Sequence, residues 1–366
     1  MKVIFVSNVS WMLFNFRLGL MTEIKDRGHE VIFCTVEDEF TSKLKRLGFK
    51  YIPIALDRKG KNVLKDLSLL LSLVKIYKKE KPDWVFHNTT KPFLYGTIAA
   101  YLTRRSCINT HSGLGYLFIK MGFLTKFLMI FYKLAGFCAD KTFFLNEDDL
   151  QLFLNKRLVD PKKCALVPGD GIDTDYFSPV GNRNTKDSFV FLYAGRILWD
   201  KGIGELIDSV RALKGRYPSM NVKFLGRIDT ENPAGISRSQ VDEWVRKGII
   251  EYLGNTDDVR PYLKDCNCVV LPSYREGVPK ALLEAAAMEL PIIATDVPGC
   301  RAVVEHGVNG LLVKVKDPID LAGAMDAMMR MSDSQRKEMG KSGRAKIIRE
   351  YSERLVIEAY CSEIGA

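Results

Sequence analysis

The sequence predicts an α/β protein of two doubly wound, parallel-sheet domains whose carboxyl strand ends face a central cleft. Three observations carry this. The chain has 366 residues, about two domain lengths. Strand-like apolar runs alternate with helix-like amphipathic runs, and the series occurs twice. Between the two series lies PVGNRNTKDS (179–188), with the polar, Gly/Pro/Asn-rich composition of an interdomain linker. The expected division is 1–180, 188–345, and a C-terminal helix over 346–366 packing back toward the N-terminal domain.

In the first series, 3–7 is an apolar run of the kind buried on both faces of a parallel sheet. A helical pattern over 16–27 ends at Gly28, since glycine readily takes the left-handed conformation that closes a helix. HEVIFCTV (29–36) is strand-like, 39–47 is helical and closed by Gly48, and KYIPIAL (50–56) is again a strand. A helix over 66–79 stops before Pro82, DWVFHN (83–88) forms the next strand, and a helix follows over 94–103. In the second series the strands are 188–195, 221–226, 249–254, 268–272 and 291–296, separated by helices over 202–214, 237–247 and 257–264. No short repeat period is visible, which excludes a solenoid. Doubly wound sheets bind ligands at their carboxyl strand ends, which places the functional residues in the loops that follow the strands.

Apolar residues make up 47% of the chain and charged residues 27%, which excludes collagen-like, low-complexity and disordered classes. The net charge of +10 is uneven: residues 1–180 hold 27 Lys and Arg against 18 Asp and Glu, leaving the remainder nearly neutral. A basic half beside a neutral one suits a polyanionic partner, such as nucleic acid, a lipid headgroup surface or a diphosphate, or is ordinary solubility charge. Eight cysteines without a C-x-x-C pair suggest reduced, cytosolic thiols rather than a zinc module or a disulfide framework. MKVIFVSN is too short an apolar core for a signal peptide, so no secretion is expected. The most hydrophobic stretch, 113–137, is interrupted by Lys120, Lys126 and Lys133 and cannot span a bilayer. It suits either an element lying in a membrane interface, with Phe123, Leu124, Phe127, Leu128 and Phe131 inserted, or a buried helix whose lysines reach the surface.

LPSYREGVPKALLEA (271–285) is the segment richest in chemistry. A buried-type strand ends at Pro272, a loop carries Arg275, Glu276 and Gly277, and a helix starts around Pro279, a residue suited to a first helical position. Amides of Gly277, Val278, Lys280 and Ala281 would point from that helix start, where the macrodipole favours a phosphate. Glu284, one turn further in, suits two vicinal hydroxyls such as a ribose diol. The segment AGRILWDKGIGELI (194–207) projects Arg196 and Lys201 from another strand end, a planar fork and a point charge that together suit a leaving diphosphate. Ordinary helix-start and surface charges are the plain alternative for both segments. Asp173-Thr174-Asp175 is read as a structural turn and not as a metal site; Gly113-x-Gly115 is no dinucleotide fingerprint, and no G-x-S-x-G occurs.

With these residues in view, 188–315 resembles the donor half of glycosyltransferase family 4. The resemblance rests on Gly195-Arg196 with Lys201-Gly202, the E-x7-E spacing from Glu276 to Glu284, and PGCRAVVEHGVNGLLV (298–313). GRIDTENPAGIS (226–237) and Trp244 narrow it to a branch of N-acetylgalactosaminyltransferases of bacterial lipid-linked oligosaccharide assembly. The N-terminal half is similar through FNFR (14–17), DEFTSKLKRLGF (38–49), GLGYLF (113–118) and FFLNEDD (143–149).

This resemblance implies a GT-B fold of two Rossmann-like domains and retaining transfer from a UDP-sugar, with no cofactor and no metal required. It assigns Arg196 and Lys201 to the donor diphosphate, Glu284 to the ribose and Glu276 to the transferred sugar, with Glu276, Arg196 and Lys201 as the catalytic set and Gly277, Val278, Pro279 and Lys280 of the helix start as further donor-binding residues. Arg17, Ser112 and Gly113 fall to the acceptor, a polyprenyl-diphosphate-linked saccharide, and His111 joins the catalytic set unless it is a structural histidine. His29, His87 and His306 are read as structural or surface residues. The implied placement is peripheral, at an anionic surface on the inner face of the cytoplasmic membrane, with a monomer sufficient. The chain departs from the wider family in SNVSWMLFN (7–15), which lacks the Gly pair, and in THSGLG (110–115), where His-Ser replaces His-Asp. Two further readings stay open: an enzyme of lipopolysaccharide or capsule synthesis with another UDP-hexose, and a GT-B epimerase of UDP-GlcNAc. A nucleic-acid-binding module is disfavoured, since no aromatic-basic interleaving or reading motif occurs.

Overall fold

The computed structural model describes residues 1–56, 63–111, 123–179 and 188–366, with side chains except at 63 and 123–128. The chain forms two units, Met1–Gly171 with Glu353–Ala366, and Ile172–Ser352. The division at Ile172 falls ahead of the predicted linker, of which 180–187 lies outside the described residues.

The first unit runs β1 (Lys2–Val9), α1 (Ser10–Phe16), α2 (Leu18–Asp26), β2 (Glu30–Val36), α3 (Glu39–Arg46), β3 (Lys50–Pro53), α4 (Val63–Glu80) and β4 (Trp84–Asn88). It continues with a π-helical turn over Pro92–Gly96, α5 (Thr97–Thr103), β5 (Ser106–His111), α6 (Phe123–Cys138), β6 (Lys141–Phe144), α7 (Glu147–Asn155) and β7 (Cys164–Leu166). The strands form one parallel sheet in the order β3-β2-β1-β4-β5-β6-β7. Because successive strand residues point to opposite faces, Val3 and Phe5 join one core with Leu13, Leu20 and Leu44, while Ile4 and Val6 join another with Leu69, Leu73 and Ala99. Both faces of β1 are therefore buried, which is why it reads as a continuous apolar run.

Gly28 and Gly48 follow their helices with φ of +84° and +83°, as the glycine stops imply. Asp38 caps α3 in a reciprocal capping box with Thr41. The helix predicted over 16–27 is α2; the unpredicted α1 precedes it, and the two are separated at Arg17, whose φ of −134° leaves helical space. The strands β5, β6 and β7 were not anticipated. SCINTH, KTFF and CAL are short and mixed, and pairing with a neighbouring strand, not their own periodicity, makes them strands.

The second unit contains β8 (Val190–Ala194), α8 (Ile203–Lys214), β9 (Asn221–Leu225), α9 (Arg238–Arg246), β10 (Glu251–Tyr252), α10 (Arg260–Lys264) and β11 (Cys268–Leu271). After them come α11 (Lys280–Ala287), β12 (Ile292–Thr295), α12 (Pro298–Val303), β13 (Gly310–Val313), α13 (Pro318–Arg330) and α14 (Asp333–Glu350). Its parallel sheet has the order β10-β9-β8-β11-β12-β13 around one continuous core. The last helix, α15 (Glu353–Ile364), belongs to the first unit, where Tyr360 packs on Phe86 and Phe143. The predicted helix over 346–366 is thus divided: its first residues complete α14 in the second unit.

Candidate active site

Four loops that follow strands of the second unit meet at the carboxyl edge of its sheet. The loop after β8 is tied to the loop after β9, the Ile197 and Trp199 amides donating to the carbonyls of Arg227 and Ala234 at 3.0 and 2.8 Å. On its other side the Tyr274 amide, after β11, donates to the Asp200 carbonyl at 3.0 Å. Gly202 makes this meeting possible. Its φ is +70°, and a Cβ there would lie 2.0 Å from the Pro272 carbonyl oxygen, so only glycine lets the two loops touch. Gly299, at the start of α12, does the same for the fourth loop, where a Cβ would fall 1.5 Å from the Gly277 carbonyl oxygen. Thr295, at the end of β12, donates its hydroxyl to the Ser273 carbonyl and fixes the base of the 273–279 loop.

This framework brings Lys201 and Glu276 together. The Lys201 ammonium donates to Glu276 Oε1 at 2.5 Å, and the side chains are 18% and 14% exposed. Arg196 projects from the same loop, is 58% exposed and lies 3.7 Å from the Asp229 carboxylate, while its own carbonyl accepts the buried Tyr193 hydroxyl at 2.6 Å. The helix predicted to begin at Pro279 begins at Lys280, with Pro279 as the extended cap (φ −74°, ψ 115°). A proline cap adds no N–H of its own, and the first turn behind it offers backbone amides without intrahelical acceptors. Glu284 sits one turn in with its carboxylate 3.9 Å from the Lys280 ammonium. Burial, assisted by the charge of Asp258 and opposed by Lys280, pushes the Glu284 carboxyl up to about 7. One edge therefore holds two cations, a helix start and two carboxylates of different character, an arrangement suited to a nucleoside diphosphate with a sugar attached.

The first unit changes what was expected of its residues. Arg17, read as a solvent-reaching contact for the acceptor, is buried at the α1–α2 break. Its guanidinium pairs with Asp170 at 2.7 Å and donates to Asn88 Oδ1 at 2.9 Å and the Phe16 carbonyl at 2.7 Å. The sequence pattern concealed this because the side-chain partners, Asn88 and Asp170, lie 71 residues away and further. His111 ends β5 inside an aromatic enclosure, its ring centroid 4.5 Å from that of Phe153, 5.4 Å from Phe144 and 6.0 Å from Phe93. Burial holds its imidazole at about 4, so it is neutral near pH 7. That favours the structural reading of His111 over an acid–base role. Ser112 and Gly113 lie outside the described residues, as do the side chains of Phe123, Leu124, Phe127 and Leu128. Phe131, expected to insert into lipid, packs instead against the core of Phe93, Tyr132 and Phe153. Among the described side chains of α6, the outward positions are Ile130, Lys133, Leu134 and Phe137.

His87 is buried between Tyr77 and Asn109, His29 meets the N-terminus, and His306 accepts from the Leu312 amide. Asp173 Oδ1 accepts from the amides of Asp175 and Tyr176 at 3.0 and 2.9 Å, a turn of the kind expected for that D-x-D. Among the described residues, no cluster of three His, Cys, Asp or Glu side chains is placed to hold a metal ion.

Residues 178–346 match the family of glycosyl transferases group 1, and residues 2–142 match the glycosyl transferase 4-like family. Together with two Rossmann-like units and this donor-type edge, the matches make the protein a glycosyltransferase of the GT-B fold class. Its second half belongs to the glycosyl transferases group 1 family and its first half is glycosyl transferase 4-like. It is 29% identical to the N,N'-diacetylbacillosaminyl-diphospho-undecaprenol alpha-1,3-N-acetylgalactosaminyltransferase of Campylobacter jejuni, over 98% of this chain and 97% of that protein. It is 28% identical to the UDP-Gal:alpha-D-GlcNAc-diphosphoundecaprenol alpha-1,3-galactosyltransferase of Escherichia coli, over 78% of this chain and 76% of that one. A solved glycosyltransferase from Rickettsia africae shares the fold with a TM-score of 0.82 at 18% identity, covering 99% of this chain and 97% of its own.

Proposed function

We propose that this glycosyltransferase moves N-acetylgalactosamine, or another N-acetylhexosamine, from its UDP donor to a polyprenyl-diphosphate-linked saccharide in bacterial glycan assembly. The observation that carries the donor half is the joining of Lys201, Glu276, Glu284 and the α11 start at one sheet edge. The acceptor half draws on the undecaprenyl-diphosphate acceptors named for the two relatives and on the positive charge of residues 1–180.

Arg196, Lys201 and the first-turn amides of α11 neutralise the diphosphate, with Gly277, Val278 and Lys280 shaping the pocket around Pro279. Glu284 accepts from the ribose diol, and Glu276 accepts from hydroxyls of the transferred sugar while holding Lys201. Transfer breaks the bond from the sugar C1 to the diphosphate oxygen and forms one from C1 to the acceptor hydroxyl on the same face, giving retention. The hydroxyl proton passes to the leaving phosphate oxygen, and the cations stabilise the charge that grows there. No metal is needed where side-chain cations and helix amides supply this charge. A monomer suffices for this reaction, which takes place at the inner face of the cytoplasmic membrane.

The test is mass spectrometry of a polyprenyl-diphosphate-sugar after incubation with the purified protein and a panel of UDP-sugars, with and without EDTA. A gain of one N-acetylhexosamine that survives EDTA is the expected result. A gain of plain hexose selects the lipopolysaccharide or capsule reading. Interconversion of the UDP-sugar with no gain on the acceptor selects the epimerase.

A further inference from the structure

The pair Lys201 and Glu276 lies on two short segments of the second unit, 200–205 after β8 and 274–276 after β11, and Tyr274 grips the first of these at both ends. On one side of Lys201, the Tyr274 amide donates to the Asp200 carbonyl at 3.0 Å. On the other side, the Tyr274 hydroxyl donates to Glu205 and lies 2.8 and 2.9 Å from its two carboxylate oxygens. Lys201 stands between these attachments and reaches across to Glu276, two residues beyond Tyr274, at 2.5 Å. Glu205 is in the first turn of α8, where the helix dipole favours a carboxylate, and its carbonyl accepts the Ser209 hydroxyl at 2.7 Å. The loop after β13 closes over the tyrosine from another direction, with the Lys316 ammonium 4.9 Å from the ring centroid. Lys316 has a φ of +60°, a conformation that a residue with a side chain takes at a cost which surrounding contacts must offset. Burial, the hydrogen bond to Glu205 and the charges of Glu205 and Asp200 keep the Tyr274 phenol protonated, so it remains a donor.

The bracketing of Lys201 matters because its ammonium ends a flexible four-carbon stem. Gly202 beside it supplies the turn and has no side chain with which to brace it. A charge displaced by about 1 Å from a reacting group can cost about 100-fold in rate, so the segment that carries Lys201 needs a fixed seat. We propose that Tyr274, acting through Glu205, is a positioning residue that fixes the 200–205 segment, so that the Lys201 ammonium is held at Glu276 and aimed at the donor diphosphate. This rests on the reading of Lys201 and Glu276 as donor-site groups and extends it to two residues behind them.

Positioning and plain support of the fold differ in their readouts. Tyr274→Phe removes only the hydroxyl and lowers kcat for transfer from the UDP-sugar about 10- to 30-fold, with KM within about threefold of wild type. In a Lys201→Ala background the same change lowers kcat by less than about twofold further, because the group it positions is gone. Glu205→Ala repeats the loss, whereas Glu205→Gln keeps an acceptor oxygen and retains activity within about threefold of wild type. One readout needs no substrate. Acylation of Lys201 by acetic anhydride, followed by mass spectrometry, runs about fivefold faster in Tyr274→Phe and in Glu205→Ala, while acylation of the exposed Lys264 is unchanged. Losses that multiply in the Lys201→Ala background overturn the proposal, as does an unchanged Lys201 acylation rate. Faster acylation of Lys264 together with Lys201 marks a general loosening of the second unit and overturns it too. If Tyr274→Phe does not fold, the contrast between Glu205→Ala and Glu205→Gln carries the same measurements. A wild type that transfers from no UDP-sugar refutes the donor-site reading instead, and the acylation rates still decide the positioning.

Discussion

Glu284 provides a pH test of the donor site. Its carboxyl, raised by burial to about 7, is roughly one-eleventh ionised at pH 6 and ten-elevenths ionised at pH 8. If it receives hydrogen bonds from the ribose diol, only the ionised form binds fully, and donor affinity rises with pH. The two fractions differ about tenfold, or ~1.4 kcal/mol. Isothermal titration of UDP-N-acetylglucosamine, whose diphosphate diester does not ionise further in this range, measures it directly. The dissociation constant should fall about tenfold from pH 6 to pH 8, and Glu284→Gln should bind with a flat profile across the same interval. A flat wild-type profile, or a Gln variant that keeps the slope, refutes the assignment. Stability moves oppositely. The folded carboxyl holds its proton to a higher pH than the unfolded one, so the free protein loses stability as pH rises from the ordinary carboxylate value toward about 7.

Lys201→Ala should lower kcat/KM about 100- to 1000-fold and Arg196→Ala less, because Lys201 is held in a shielded pair and Arg196 is exposed; activity within threefold of wild type for both removes the diphosphate clamp. Gly202→Ala forces a side chain at positive φ onto the Pro272 carbonyl, and should cost more than about 1–2 kcal/mol in urea unfolding and displace Lys201; an unshifted midpoint contradicts that crowding. Arg17→Ala leaves Asp170 and Asn88 without their buried partner and should destabilise the first unit by about 3–5 kcal/mol. A loss below ~1 kcal/mol returns Arg17 to the surface role.

Much of the architecture was legible because it is written in local terms. Apolar runs such as VIFV and CVVL announce strands covered on both faces, and Gly28 and Gly48 stop helices through a conformation that other residues resist. The two carboxylates of the donor loop were legible for a similar reason, since a strand, a loop, a proline and a helix follow one another within 15 residues. The strands β5, β6 and β7 were not, because partners in the sheet stabilise them and their own short composition does not. Even the apolar helix α6 announced only that it has a hydrophobic surface. Which of Ile130 and Phe131 faces solvent was decided by the packing of Phe93 and Phe153 against Tyr132 on the helix's inner side.

The sequence by itself determined two parallel α/β units, a donor-type loop with Glu276 and Glu284 eight positions apart, and a surplus of positive charge in the first half. Tertiary structure alone decided the electrostatic state of these groups. Lys201 meets Glu276 across 75 residues of chain, Arg17 is neutralised by Asp170, and His111 loses its proton inside a ring of aromatic side chains. Burial and ion pairing depend on neighbours that only folding supplies, so a residue's identity is local information while its charge, reach and partner are not.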